Sequence, residues 1–272
     1  MPASLQLVQA NQDYYRTMTH IFSIGGGRMR VPAGQKPQTL TIDQAIVTAT
    51  AKKRPQALFI PTASEDDADY CAAFKRHYGD YLGCRMQTLL LYRDRPGVRE
   101  IRRRILAADL IYVGGGNTLR MMKLWRNLGV DRYLDQARRQ GTVLAGLSAG
   151  AICWFRYGNS DSRNYSNPGD KTLIRVRGLD YVNALYCPHY DAEKNREPSL
   201  KVMMRKVPGV AIGLDNCAAI EIRDDEYRIH TSKRTAHAYR ICWSAGRYYK
   251  DQLVAIDDYQ SLSQLTDKSV RL

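Results

Sequence analysis

Three observations predict an α/β fold, a parallel sheet flanked by helices with a β-rich C-terminal part. Short apolar strands alternate with helical segments from residue 20 to residue 147, and such alternation builds right-handed βαβ units on a parallel sheet. Two glycine-rich turns, Gly114-Gly115-Gly116-Asn117 and Gly146-Leu147-Ser148-Ala149-Gly150, each follow a strand and open a helix. Both therefore fall beyond the carboxyl ends of strands, where such sheets bind ligands. After Gly209 the pattern becomes alternating, as VAIGLD, AAIEIRD, EYRIHT and AYRICW, which predicts short antiparallel strands.

Taken in order, residues 1–18 are polar without periodicity and read as an N-terminal extension, and residues 19–272 read as a single α/β domain. His20–Ile24 is a strand running into Gly25-Gly26-Gly27. That run is not a dinucleotide fingerprint, because G-x-G-x-x-G would need glycine where Arg30 stands. Ile42–Ala51 reads as a helix and Ala57–Thr62 as a strand. Ser64 is the expected N-cap of the next helix, with Asp67 three residues on. Tyr70, Phe74 and Tyr81 follow at helical spacing, with Gly79 loosening the end. Met86–Tyr92 is the next strand and Val98–Ala107 the next helix. Leu110–Val113 is a strand, Leu119–Leu128 a helix stopped by Gly129, and Val130–Gln140 a helix with clean i, i+3, i+4, i+7 spacing. Beyond the serine turn, Ala151–Phe155 is expected to be helical and Gly158–Asp170 a loop. Leu173–Val176 and Asn183–Tyr186 read as strands, and Glu193–Val207 as a helix.

The 272 residues carry a formal net charge of +14, 44% hydrophobic residues and six cysteines. A positive field attracts anions, but the basic clusters 52–54 and 102–104 lack interleaved aromatics or a nucleic-acid fold signature. No apolar run is long enough to span a bilayer. The first eighteen residues lack a signal-peptide layout. Scattered cysteines without a C-x-x-C pair fit a reducing cytoplasm and argue against a structural zinc site.

Val143-Leu144-Ala145 followed by G-L-S-A-G is the layout of a nucleophile elbow, with Ser148 at its apex. A Cβ at Gly146 or Gly150 would crowd the turn, and Ala149 offers a backbone N–H at a helix N-terminus, where negative charge is favoured. A serine needs a base. Of the five histidines, His189 in Pro188-His189-Tyr190-Asp191 stands at a strand end on the same sheet edge. A carboxylate should orient it, and Asp161 is the expected one, with Asp215 the reserve. That arrangement predicts activity rising through an apparent pKa of about 6.5, pushed upward by the carboxylate.

Gly114-Gly115-Gly116-Asn117-Thr118, Gly146–Ala151, Ser160-Asp161-Ser162 and Pro188–Asp191 together resemble the peptidase E (aspartyl dipeptidase) family and its cyanophycinase relatives. The resemblance runs from about His20 to Asp215. It implies a fold similar to class I glutamine amidotransferases, with Ser148 as nucleophile, His189 as base and Gly116 and Ala149 as oxyanion donors. It further implies substrate contacts from Gly115, Asn117 and Arg196, the last matching an arginine that recognises an aspartyl carboxylate. On this reading the chain is a cytoplasmic serine peptidase of small peptides, foremost dipeptides with N-terminal aspartate, with no metal or cofactor and no nucleic-acid or membrane partner. A homodimer is left open. The alternatives are a cyanophycinase-like hydrolase of aspartyl-arginine polymer and a non-enzymatic binding module. An α/β-hydrolase esterase fits less well, because Asp161 and His189 follow Ser148 too closely for its intervening elements.

Overall fold

Five strands run parallel in the order β1-β5-β4-β2-β3. They are β1 (His20–Ile24), β2 (Gln56–Ile60), β3 (Arg85–Thr88), β4 (Leu110–Val113) and β5 (Val143–Leu147). The structure, a computed structural model, describes residues 19–29, 31–32, 35–206 and 209–269. The extension expected at residues 1–18 lies outside the described residues. Consecutive strand residues face opposite sides. Ile21, Ile111 and Leu144 therefore enter one core, and Phe22, Tyr112 and Ala145 enter the other. The second core is closed by α1 (Leu40–Ala49) and α2 (Ala68–Phe74), where Phe59, Phe74 and Tyr78 stack with centroids 4.1 and 4.3 Å apart. On the other face lie α3 (Val98–Leu106), α4 (Thr118–Leu128) and α5 (Val130–Arg139), burying Ile101, Met122, Trp125 and Leu134.

After the short α6 (Ala149–Ile152) the chain leaves this sheet and builds a second one. Its strands are β6 (Phe155–Ser160), β7 (Ile174–Arg177), β8 (Val182–Cys187), β9 (Val210–Leu214), β12 (Ala238–Ser244) and β13 (Arg247–Leu253), in the order β13-β12-β9-β8-β6-β7. The short α7 (Ser162–Ser166) follows β6, and α8 (Arg196–Lys206) lies between β8 and β9. The remaining strands, β10 (Ala218–Arg223), β11 (Glu226–Thr231) and β14 (Gln260–Ser261), return to the first sheet and extend its β1 edge antiparallel. The helix α9 (Leu262–Thr266) ends the described chain's regular structure.

Several expected boundaries move, each for a local reason. The helix expected from Ser64 starts at Ala68, because Thr62–Ser64 makes a 3-10 turn and Asp67, not Ser64, accepts from the N–H of Tyr70. Between them Glu65 and Asp66 are left-handed (φ 56° and 60°), and the buried Asp66 carboxylate accepts from the N–H groups of Tyr92 and Arg93. The segment around Gly79 widens into a π-helical turn, Lys75–Tyr81. The strand expected over Met86–Tyr92 ends at Thr88. The helix expected over Ala151–Phe155 stops at Ile152, and the expected loop at Gly158 begins as the end of β6. Among the described residues no helix is long and apolar enough to cross a membrane. The six cysteines are unpaired.

The returning β10–β11 hairpin is fixed by Glu221, which is 1% exposed. Its carboxylate accepts from His20, Arg228, His230 and Tyr259 at 2.5–2.7 Å. Burial alone would raise its pKa, but these donors outweigh burial and hold it below the usual carboxylate range. A depressed folded value means that Glu221 contributes its full stability above the unfolded value of about 4.3, and loses it as pH falls toward the folded value. Glu221→Ala is predicted to lower the unfolding free energy by about 3 kcal/mol at neutral pH, because it leaves buried donors without a partner. The loss should stay constant down to about pH 4 and shrink as the pH falls below it. Urea titrations at several pH values check this, and a loss under about 0.5 kcal/mol at pH 7 would refute it.

Candidate active site

Ser148 lies between β5 and α6 with φ 54° and ψ −111°, a strained conformation for a non-glycine residue. Its N–H donates to the carbonyl of Ile24 at 3.0 Å, which ties the turn to the end of β1. The tightness of the elbow is set by its two glycines. A Cβ on Gly146 would collide with the carbonyl of Gly150, and one on Gly150 with the carbonyl of Val113. The chain then enters α6, whose first N–H groups have no partner within the helix.

The histidine arrives from the second sheet. Beyond β8, His189 adopts φ 51°, and its N–H donates to the carbonyl of Gly25 at 3.0 Å. Its ring nitrogen Nε2 lies 2.8 Å from Ser148 Oγ, and Nδ1 lies 2.7 Å from Asn216 Oδ1. With the amide oxygen as acceptor, Nδ1 carries the proton and Nε2 is left to accept from the serine hydroxyl. Gly26 makes room for this pair, since a Cβ there would collide with Asn216 Oδ1 and His189 Nδ1. The other four histidines are bound elsewhere, His20 and His230 to Glu221, His77 to Asp43 and His237 to Gln252.

The ring-orienting residue is thus Asn216, where the sequence led to Asp161 with Asp215 in reserve. Asp215 precedes it by one residue, and its side chain turns the other way, with Oδ2 accepting from the N–H of His237 at 2.9 Å. Asp161 begins α7 and makes no side-chain cap, and it reaches His189 only through its charge. The search for a carboxylate concealed the amide. The signal available was position, since Asn216 stands two residues beyond the end of β9.

With no carboxylate on Nδ1, the electrostatics run opposite to expectation. Burial disfavours the imidazolium and lowers the His189 pKa below its ordinary 6.5. The hydrogen bond to Asn216 and the charges of Glu193 and Asp161 work upward, and the Arg196 guanidinium works downward.

Ser148 and His189 open on a cavity of about 670 Å³. Gly115, Gly116, Ala63, Tyr70 and Tyr165 contribute to its walls, together with Arg28, Glu65 and Asp67. Gly115 and Gly116 are therefore where the resemblance implied. Asn117 is not on this wall. It is 3% exposed and caps α4, its Oδ1 accepting from the N–H of Arg120 and its Nδ2 donating to the carbonyl of Ser162. Arg196 is also elsewhere. It is 1% exposed, and its nitrogens donate to both oxygens of Glu193 and to Asn159. Among the described residues the arginine that lines the cavity is Arg28, which is exposed and makes no ion pair with them. Its backbone is pinned by two hydrogen bonds with Gln38. Among the described residues, no cluster of three His, Cys, Asp or Glu is placed to hold a metal ion.

The model of peptidase family S51 matches residues 21–230. The chain belongs to peptidase family S51. This S51 chain is 34% identical over 226 residues to the uncharacterized peptidase YgaJ of Bacillus subtilis (strain 168), covering 82% of the chain and 92% of that protein. It is 29% identical over 176 residues to the uncharacterized peptidase Lmo0363 of Listeria monocytogenes, covering 62% of the chain and 82% of that protein. Among solved structures it resembles a peptidase from an acI-B1 actinobacterium, with a TM-score of 0.69 and 19% identity over 92% of the chain and 99% of that one. A putative peptidase E protein from Listeria monocytogenes EGD-e gives a TM-score of 0.59 and 22% identity over 79% and 98%. The S51 peptidase is thus peptidase E-like in fold.

A pH prediction follows from the Asn216 contact. In the native chain the acid limb of kcat/KM should lie below pH 6.5, because the neutral imidazole persists to lower pH. Asn216→Asp places an anion against the imidazolium, raises its pKa and should move that limb to higher pH. Profiles of the two proteins check this, and coincident acid limbs would contradict it.

Proposed function

We propose that this S51 chain is a serine-type peptidase of short peptides, working through Ser148, His189 and Asn216. The observation that carries the reading is the 2.8 Å approach of His189 Nε2 to Ser148 Oγ at the floor of a cavity, with Nδ1 held by Asn216. Ser148 Oγ attacks the peptide carbonyl while His189 Nε2 takes its proton. The resulting oxyanion faces the N–H groups of Ala149 and Gly116, donors fixed before the charge develops. The imidazolium keeps its Nδ1–H on Asn216 and gives the Nε2 proton to the leaving amine. A water then loses its proton to His189 and attacks the acyl carbonyl, the bond from that carbonyl to Ser148 Oγ breaks as His189 returns the proton to Oγ, and the acid departs. Asn216 holds the ring without neutralising it, so its share is orientation and tautomer.

For the substrate, we propose a dipeptide with N-terminal aspartate. Arg28 supports this, because it lines the cavity with its guanidinium available for a two-point contact with a carboxylate. Arg196 gives this reading no support while Glu193 occupies it. A cytoplasmic setting is supported by six unpaired cysteines.

Hydrolysis of Asp-Leu and Ala-Leu by purified variants tests both levels. Ser148→Ala and His189→Ala should each lower kcat/KM by about 10³-fold or more, and the double variant should be no worse than either. Arg28→Ala should cost about 1.5–3 kcal/mol of transition-state binding on Asp-Leu and leave Ala-Leu unchanged. A folded Ser148→Ala protein at the native rate would overturn the peptidase mechanism. Equal Arg28→Ala losses on both substrates would overturn the aspartyl preference alone.

A further inference from the structure

The family match ends at residue 230, yet the chain continues into the β12–β13 hairpin on the edge of the second sheet. β12 pairs antiparallel with β9, Ala238 opposite Leu214 and Tyr239 opposite Gly213. The hairpin therefore abuts the strand that delivers Asn216, and it grips both halves of the histidine–asparagine pair. On one side, the N–H of Asp215 donates to the carbonyl of His237 at 3.0 Å, and the N–H of His237 returns to Asp215 Oδ2. On the other side, it holds Tyr190, the residue after His189, whose hydroxyl lies 3.4 Å from that of Tyr248 on β13.

Lys250 sits at the centre of these contacts. Its Nζ is 4.7 Å from the Tyr190 ring centroid and 4.4 Å from that of Tyr239, and it donates to Glu197 Oε2 on α8 at 3.1 Å. A cation over aromatic faces at this range is attracted by their quadrupoles, so one side chain joins β13, β12, α8 and the turn that carries the base. That turn needs holding. His189 keeps φ 51°, a conformation that persists only where the surroundings over-determine it. Its other supports are the Tyr190 N–H on the Leu214 carbonyl and the Asp191 carboxylate accepting from the Asn216 N–H at 2.9 Å. We propose that the β12–β13 hairpin is a positioning element for the Ser148–His189–Asn216 unit, and that Lys250, acting through Tyr190, is its principal positioning residue. The proposal rests on the reading of those three residues as the reactive unit.

The test uses full-length protein and two readouts that need no peptide substrate. One is the rate at which a fluorophosphonate probe labels Ser148, and the other is the NMR signal and exchange rate of the His189 Nδ1–H. Lys250→Met keeps the stem and removes the charge. It should lower the labelling rate about tenfold, since a misplacement of about 1 Å can cost roughly 10²-fold, and should speed exchange of the Nδ1 proton. Lys250→Arg, still able to stack and pair, should restore most of both. Lys201→Met is the control, because Lys201 also binds Glu197 but lies over Tyr248, not over Tyr190; it should leave both readouts near native. Native labelling and exchange in a folded Lys250→Met protein would overturn the proposal, as would equal losses in the Lys201→Met protein. If native Ser148 takes no label, the nucleophile assignment fails, and the Nδ1–H exchange alone then decides for or against Lys250.

Discussion

Three consecutive carbonyls at the end of β1 hold the site together. Ile24 accepts from the N–H of Ser148, Gly25 from that of His189, and Gly26 from that of Cys217, the neighbour of Asn216, at 2.8–3.0 Å. Ser148, His189 and Asn216 come from the ends of three strands in two sheets, and this short extended segment is where their backbones meet. Its composition follows from that position. Side chains at Gly25 and Gly26 would collide with the Asp215 carbonyl and with the histidine–asparagine pair. A bulkier segment would separate the two sheets at the point where the reacting atoms must lie within hydrogen-bond distance.

The choice of asparagine against His189 shapes the rest of the site's electrostatics. An aspartate would stabilise the imidazolium and raise its pKa, whereas an amide accepts the Nδ1 proton without adding charge. With burial lowering the pKa further, His189 stays neutral and able to take the Ser148 proton at lower pH. What favours an imidazolium at this position is the Asn216 hydrogen bond and the more distant charges of Glu193 and Asp161. Orientation must do what charge does not, which makes the supports around Asn216 and His189 more consequential. Asp191 on the Asn216 N–H, Asp215 on the His237 N–H and the Tyr190 contacts are those supports.

Much of this was legible in the sequence where one residue type is forced. Alternating apolar runs placed the parallel strands, and the G-x-S-x-G turn and Pro188-His189 marked Ser148 and His189 at strand ends; the expected single sheet edge is in fact two, since β5 belongs to the first sheet and β8 to the second. What was hidden depended on contacts between distant segments. The Gly25–Gly27 run looked like a nucleotide loop without its fingerprint, because nothing local shows that three strand ends converge on it. Asn216 was hidden because a carboxylate was expected: Asp161 was the expected one, and the reserve, Asp215, turns its side chain toward His237. Pairing of Arg196 with Glu193 three residues earlier is open to a reading of the spacing, but its burial and its bond to Asn159 on β6 appear only in three dimensions. The second sheet was missed because α6 is a single turn and Phe155 already belongs to a strand.

On the proposed mechanism Ser148 carries a covalent acyl intermediate formed with His189 as base. Rapid-quench mass spectrometry with an activated ester of a short peptide tests it directly, because a good leaving group lets the acyl-enzyme accumulate before water removes it. One acyl adduct per chain is expected, confined to the proteolytic fragment containing Ser148, formed in a burst and slowed strongly in the His189→Ala protein. Turnover of the ester with no adduct, or an adduct on any other residue, would contradict it.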